Sequence, residues 1–450
     1  MESTTTQTRP HTTTLRKVLR LPGAVLFGLA YMIPLTVFTT YGVVNVETQG
    51  HIVTAYVITT VAMLFTAASY AAMVRAFPRA GSAYTYTRRT LGDRVGFLGG
   101  WALLLDYLLM PMITYLVIGI YMNASFPGIP QWVWILASMA AVTALNIIGV
   151  ELVSRVSTLM LIVQAIFILV FAALSLRNPA AGTAPSAFDA LTSNGPGIGA
   201  AFAGAAVLCL SFLGFDAVSA MAEETVEARR TIPRAIILVT VLGGALFIVL
   251  SLLSARAFPD WTAYTSADAA ALDVMQAAGG NFLANFFTAA YIAGCFGAVL
   301  ASQGTVSRIL YAMGRDGVLP TSVFGYLHPR FRTPVRSIFV VGAIGLLALV
   351  MDLLLASSLI SFGALSAFTL VNAAVIKHYV IDQGRRSSLA LFKYAVAPAI
   401  GIVLCLWLWT SLSRTALGVG LGWTAVGIVV LLVMSRSTSS TAPTLALDED

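Results

Sequence analysis

The chain has 450 residues, of which 58% are hydrophobic and 10% charged, where soluble domains carry about 25% charged residues; its mean hydropathy is +0.88. These values exclude a soluble globular domain and indicate an integral membrane protein. The net charge of +7 follows from how basic residues are shared between the two sides of a membrane, so it does not point to a nucleic-acid partner.

Apolar runs of roughly 20 residues, enough to cross a bilayer, fall near 22 to 44, 52 to 75, 95 to 122, 131 to 150, 156 to 176, 199 to 222, 234 to 255, 281 to 312, 337 to 355, 358 to 380, 391 to 412 and 416 to 435. They predict an all-α protein of twelve membrane-spanning helices. Of the 26 lysines and arginines, all but Arg177, Arg256 and Arg414 fall on the side that carries the N-terminal segment. Basic residues stay in the cytoplasm on insertion, which predicts a multi-pass protein of the cytoplasmic membrane with both termini inside. The opposite face carries Glu47, Asp189, Asp260, Asp268 and Asp273, a sign that concentrates cations. Residues 1-20 and 437-450 read as polar cytoplasmic tails, with no cleaved signal, around a membrane domain of 21-436. Cys209, Cys295 and Cys405 lie in apolar spans without paired spacing and read as core packing.

In span 1, Tyr31-Met32-Ile33-Pro34 predicts an opening near residues 30 to 34, because proline removes a backbone donor and clashes with the carbonyl four residues back. The basic segment after span 2, with Arg79, Arg88 and Arg89, reads as interfacial. Span 3 places Tyr107, Pro111 and Tyr115 on one helical face. Beside that face lies Asp106 near mid-depth, where an acid costs about 2.5 to 3.5 kcal/mol and needs a partner. Gln164 sits in mid span 5, where a glutamine serves as helix-helix glue or as a coupling group. Span 6 carries Ser211-Phe212-Leu213-Gly214-Phe215-Asp216, an intramembrane carboxylate next to a residue that weakens a helix. On α-helical spacing Asp216, Ala220 and Glu223 share a face. Glu223 and Glu224 lie at the cytoplasmic exit. Residues 256 to 280 predict an outer lid, and span 8 runs into a polar patch holding Ser302. Asp352 is a hydrated residue near the outer end of span 9. Paired interruptions in spans 1 and 6, which insert in opposite directions, point to a substrate site at the midplane. No phosphate loop, HExxH or GxSxG motif is present, so ATP-driven transport, hydrolytic chemistry, a resident metal and a cofactor all lack support, and no enzyme is expected.

Phe212-Leu213-Gly214-Phe215-Asp216 with Glu223-Glu224 and Ile232-Pro233-Arg234, Ala80-Gly81-Ser82-Ala83-Tyr84 after span 2, and Ser307-Arg308-Ile309-Leu310-Tyr311 after span 8 resemble the amino acid-polyamine-organocation (APC) superfamily. Within it, residues 28 to 38, Leu105-Asp106-Tyr107-Leu108 and Phe324-Gly325-Tyr326-Leu327-His328-Pro329 look most like bacterial putrescine importers. The resemblance implies a LeuT-like fold of two inverted five-helix repeats (22-176 and 199-380) plus accessory helices (391-435), with alternating access around spans 1, 3, 6 and 8. It also places Asp216 where relatives carry a substrate-handling carboxylate. Two departures stand out: Pro34 and Leu35 replace the glycine-rich break that cradles a substrate carboxylate, and Gln164 stands where some proton-coupled relatives have lysine. The resulting expectation is a secondary importer of a small cationic amine, putrescine first, with a proton or sodium ion as optional partner. Tyr31, Ile33, Pro34, Asp106, Tyr107, Ser211, Phe212, Gly214, Asp216 and Ser302 would form its site, and Glu223, Glu224 and Gln164 are candidates for gating or coupling. A coupled amino acid importer of the same fold, and a channel or transporter-like sensor, stand as alternatives.

Overall fold

The computed structural model describes residues 19–78, 82–148, 153–177, 198–315, 319–329, 331 and 333–437. Expectations for the two tails, apart from residues 19, 20 and 437, and for residues 79–81 lie outside these. The helices are α1 (Leu21–Tyr31), α2 (Tyr41–Glu47), α3 (Ile52–Ala76), α4 (Ser82–Leu91), α5 (Asp93–Ser125), α6 (Gln131–Ile148), α7 (Val153–Arg177) and α8 (Ile198–Leu208). They continue with α9 (Ala228–Ala257), α10 (Ala270–Arg315), α11 (Thr321–Phe324), α12 (Val335–Gly345), α13 (Leu353–Ile376), α14 (Ser388–Leu391), α15 (Ala397–Thr410) and α16 (Arg414–Ser437). Among the described residues, ten helical segments are long and apolar enough to cross a membrane, and two shorter apolar ones, Ile162–Arg177 and Val335–Leu349, fall at the expected spans 5 and 9.

Spans 1 and 6 are both interrupted. Span 1 consists of α1, a 3-10 turn over Pro34–Phe38, and α2. The residue before a proline is pushed out of the helical region, and Ile33 adopts φ 48°, a strained conformation for a β-branched side chain. Span 6 consists of α8, a 3-10 turn over Cys209–Phe212, and a second over Ala217–Glu224. Between the turns, Gly214 has φ 130°, and a Cβ there would lie 2.9 Å from the Met32 amide nitrogen. Only glycine meets both demands. The two breaks therefore face each other across a backbone contact that a side chain would block. On the basic side the same pair is tied together: Leu19 and Thr225 form a parallel bridge, with Val226 N–H donating to Leu19 C=O at 2.9 Å.

The segment after span 2 folds as a helix. α4 is amphipathic but buries Ala83, Tyr84, Thr85, Tyr86 and Thr87 against α5, α13 and the Ala217–Glu224 turn. The lid between spans 7 and 8 is ordered. It includes a 3-10 turn at Ala267–Ala269 and ends where α10 bends at Gly279 and Gly280, and Asn45 of α2 donates to the Tyr264 hydroxyl at 2.7 Å. Within it the Thr262 hydroxyl and amide donate to Asp260, and these bonds hold that carboxyl below the usual range. Asp352 caps α13, accepting from Leu355 N–H at 2.7 Å. At the opposite flank Trp101 and Trp423 stack at 4.8 Å, and each indole N–H donates to the other's backbone carbonyl. This clasp fixes α16 on α5, the helix that carries Asp106.

Candidate functional site

Asp216 closes the break in span 6. Its Oδ1 accepts from Gly214 N–H at 3.1 Å and the residue is 8% exposed. Because the following turn is 3-10, with about three residues per turn, the residue aligned with Asp216 is Ser219, whose hydroxyl donates to the Asp216 carbonyl at 2.6 Å. The acidic face drawn on α-helical spacing does not form. Glu223 and Glu224 lie in this turn, and their side chains fall outside the described residues.

Asp106 is 7% exposed, in the interior of α5 where Gly363 of α13 packs closely on the Ala102 carbonyl and reaches the Asp106 amide. Its Oδ1 has no hydrogen-bond partner among the described residues. Asp106 lies within electrostatic reach of Asp216, and among the described residues the groups acting on the two acids include no lysine or arginine. Tyr31, at the end of α1, interacts with both acids, as does Tyr107. Tyr31 keeps 44% of its surface accessible. Ile33 and Pro34 form the break beside it and are half-buried.

Two residues that sequence reasoning passed over complete this group. Tyr70 of α3 and Tyr86 of α4 are fully buried and both feel the Asp216 charge. A tyrosine in an apolar span carries no distinguishing signal, and the composition of α4 resembles surface. The intramembrane position of Asp216 was the one available pointer to its surroundings.

Other expected members point elsewhere. Phe212 is fully buried and packs edge to face with Phe247 of α9 at 5.4 Å. The Ser211 hydroxyl is bonded to Tyr56 at 3.3 Å. Ser302 donates to Val299 C=O of its own helix at 3.2 Å. Gln303 and Ser307 are the fully buried polar residues of that patch; Gln303 accepts from Tyr115 at 2.6 Å and donates to Thr143 and to Ile338 C=O. Gln164 is 5% exposed, its amide lies against Gly294 of α10, and its Oε1 has no partner among the described residues. Those residues also contain no group of three or more His, Cys, Asp or Glu arranged to hold a metal.

The model of the amino acid permease family matches residues 23–427. The chain belongs to that family. This permease is 41% identical over 396 residues to the low-affinity putrescine importer PlaP of Escherichia coli, covering 86% of each chain. It is 28% identical to the branched-chain amino acid permease BcaP of Bacillus subtilis, covering 80% of this chain and 81% of that one. Among solved structures, MhsT in complex with L-phenylalanine superposes with a TM-score of 0.60 at 15% identity, covering 88% of the permease and 99% of MhsT. That likeness shows a shared LeuT-like fold. The permease is thus a multi-pass membrane protein and a secondary transporter.

Proposed function

We propose that the permease imports a small cationic diamine, putrescine first, by alternating access around the two broken spans. One observation carries the reading: two buried carboxylates, Asp106 within electrostatic reach of Asp216, with no basic side chain acting on them among the described residues. Like charges in a poorly solvated site repel strongly, and a ligand with a positive group at each end relieves that repulsion. Tyr31 and Tyr107 supply aromatic faces for the same charges. Ile33 and Pro34 occupy the break in place of glycine amides, which suits a ligand without a carboxylate. The similarity to a putrescine importer supports the same substrate.

In this reading repeat one spans 22-176 and repeat two 199-380, both termini are cytoplasmic by the distribution of basic residues, and the acidic face is the entrance. The membrane potential contributes roughly 2.3 kcal/mol per charge per 100 mV, about 4.6 kcal/mol for a dication, or roughly three powers of ten in accumulation. A coupling proton or sodium ion is therefore an option and not a requirement. Gln164, Glu223 and Glu224 are its candidate handlers.

Uptake of labelled putrescine into liposomes holding the purified permease tests the proposal. Saturable uptake with counterflow, competed by diamines and not by amino acids, is expected. Competition by amino acids alone would replace the amine with an amino acid, flux without saturation would indicate a channel, and binding without flux a sensor.

A further inference from the structure

Away from the broken spans, the basic face carries a second arrangement, at the bend between spans 10 and 11. α13 runs into a π-helical turn over Lys377–Asp382, and a second π-helical turn over Phe392–Val396 leads into α15. Such turns hold well under about 1% of residues and recur at functional positions. Each of these two contributes one ring to a stack, Tyr379 on Tyr394 at 4.1 Å and 14°. The Tyr379 hydroxyl donates to Ala72 C=O of α3 at 2.9 Å, which ties the stack to span 2. The row of rings continues through His378, 4.8 Å from Tyr379, to Phe77, 4.9 Å from His378.

Cations sit along this row. The Arg385 guanidinium lies 5.0 Å from the Tyr379 ring and 5.9 Å from that of Tyr394, and the Lys393 ammonium lies 5.3 Å from Tyr394. At the other end the Arg89 guanidinium lies 5.7 Å from Phe77. The Arg385 amide donates to Tyr379 C=O at 3.1 Å, which pins the backbone beside the stack. The one acid of the bend, Asp382, is taken by Lys377 at 2.7 Å. Among the described residues Arg385, Lys393 and Arg89 have no carboxylate at ion-pair distance. A ring face holds a cation in place without cancelling its charge, so these groups are positioned and still open to an anion. Ile381, Leu389 and Phe392 of the same bend are exposed apolar side chains, at the ends of two membrane spans where headgroups meet acyl chains. Basic and apolar groups mixed at that depth suit an anionic lipid, whereas a soluble anion makes no use of the apolar ones.

We propose that the bend between spans 10 and 11 binds an anionic phospholipid, with the headgroup phosphate at Arg385 and Lys393 beside the Tyr379–Tyr394 stack and the acyl chains against Leu389 and Phe392. The site is independent of the substrate carried.

The test titrates the purified full-length permease in detergent with phosphatidylglycerol labelled on one acyl chain, read by fluorescence anisotropy, with phosphatidylcholine carrying the same label as reference. The wild type should prefer the anionic lipid by at least about 25-fold. Arg385→Gln and Lys393→Gln should each weaken phosphatidylglycerol about fivefold, the effect of one basic residue at an anionic surface, and leave phosphatidylcholine within about twofold. Tyr394→Leu keeps every charge and removes the platform, and should weaken phosphatidylglycerol about threefold. Arg336 is the control: its guanidinium lies 4.2 Å from the Tyr326 ring on the same face and is bonded to Ser322 C=O. Arg336→Gln should change phosphatidylglycerol binding by less than about twofold, and melting temperatures check that the variants are folded. Equal binding of the two lipids by the wild type, no loss in Arg385→Gln and Lys393→Gln, or an equal loss in Arg336→Gln would overturn the site. Displacement of the lipid by inorganic phosphate at fixed ionic strength would overturn it too, by marking a site for a soluble anion.

Discussion

The rings on the acidic side of the span 1 break and the tyrosines around Asp106 and Asp216 on its basic side are drawn from the same residue types, yet they are satisfied in different ways. On the acidic side Phe38 meets Phe171 and Phe287 edge to face at 5.5 and 5.4 Å, and Tyr121 meets Phe287 and Tyr291 at 5.5 and 5.1 Å. Two of its hydroxyls are used: Tyr121 donates to Phe38 C=O at 2.7 Å, and Tyr291 is bonded to Thr39, while the hydroxyl of Tyr41 has no hydrogen-bond partner among the described residues. On the basic side the hydroxyls of Tyr70 and Tyr86 and one oxygen of Asp106 have no partner among the described residues. The difference teaches that one region is held by ring packing while the other gathers carboxylates. Close aromatic packing is favourable in itself, whereas a buried acid without a partner is costly. In the proposed reading the acidic side is a seal, and the basic side a receptor.

Removing the charge from the receptor tests the contrast most severely. Asp216→Asn keeps an acceptor for Gly214 N–H but loses the attraction for a cation. Putrescine uptake into liposomes should fall by more than about 100-fold while the elution profile stays unchanged; retained uptake would take Asp216 out of the site. Gly214→Ala adds a methyl at φ 130°, 2.9 Å from Met32 N. It should cost about 1 to 3 kcal/mol of stability, read by thermal melting, and lower uptake with it. A variant that melts and transports like the wild type would show that the breaks need no close contact.

The seal predicts a smaller effect of another kind. Cys295 is buried and interacts with Tyr121 and Tyr291, so it reports on access from the acidic face. Phe38→Ala should raise its labelling by a membrane-impermeant thiol reagent severalfold, and an unreactive Cys295 in that variant would mean that the ring does not hold the seal. The smallest change belongs to Trp101→Phe, which removes the indole donor to Trp423 C=O. A loss of about 1 kcal/mol with near-normal uptake is expected, and a collapse of transport would tie the clasp to the site.

Much of this architecture was legible because membrane constraints are local. A run of apolar residues must be helical to satisfy its backbone, and Pro34 and Gly214 disturb a helix wherever they stand. Asp106 and Asp216 stood out because acids in such runs are costly. Side-chain direction was harder to read. A 3-10 turn advances each residue about 20° further around the axis than an α-helix does. That change turns Phe212 toward Phe247 and puts Ser219, in place of Ala220, in line with Asp216. The burial of α4 was not legible because it is decided by what packs over a helix, and its partners α5 and α13 are separated by more than 200 residues in the chain.

The amino-acid sequence by itself determined the all-helical membrane class, the location of both breaks and the two intramembrane acids, since each depends on a residue's own chemistry and its near neighbours. Only the tertiary structure decided that the breaks abut, that Tyr70 and Tyr86 lie in the field of Asp216 while Phe212 packs on Phe247, and that rings pack together on the acidic side. These are contacts between segments distant in the chain, and their geometry is set by how whole helices pack.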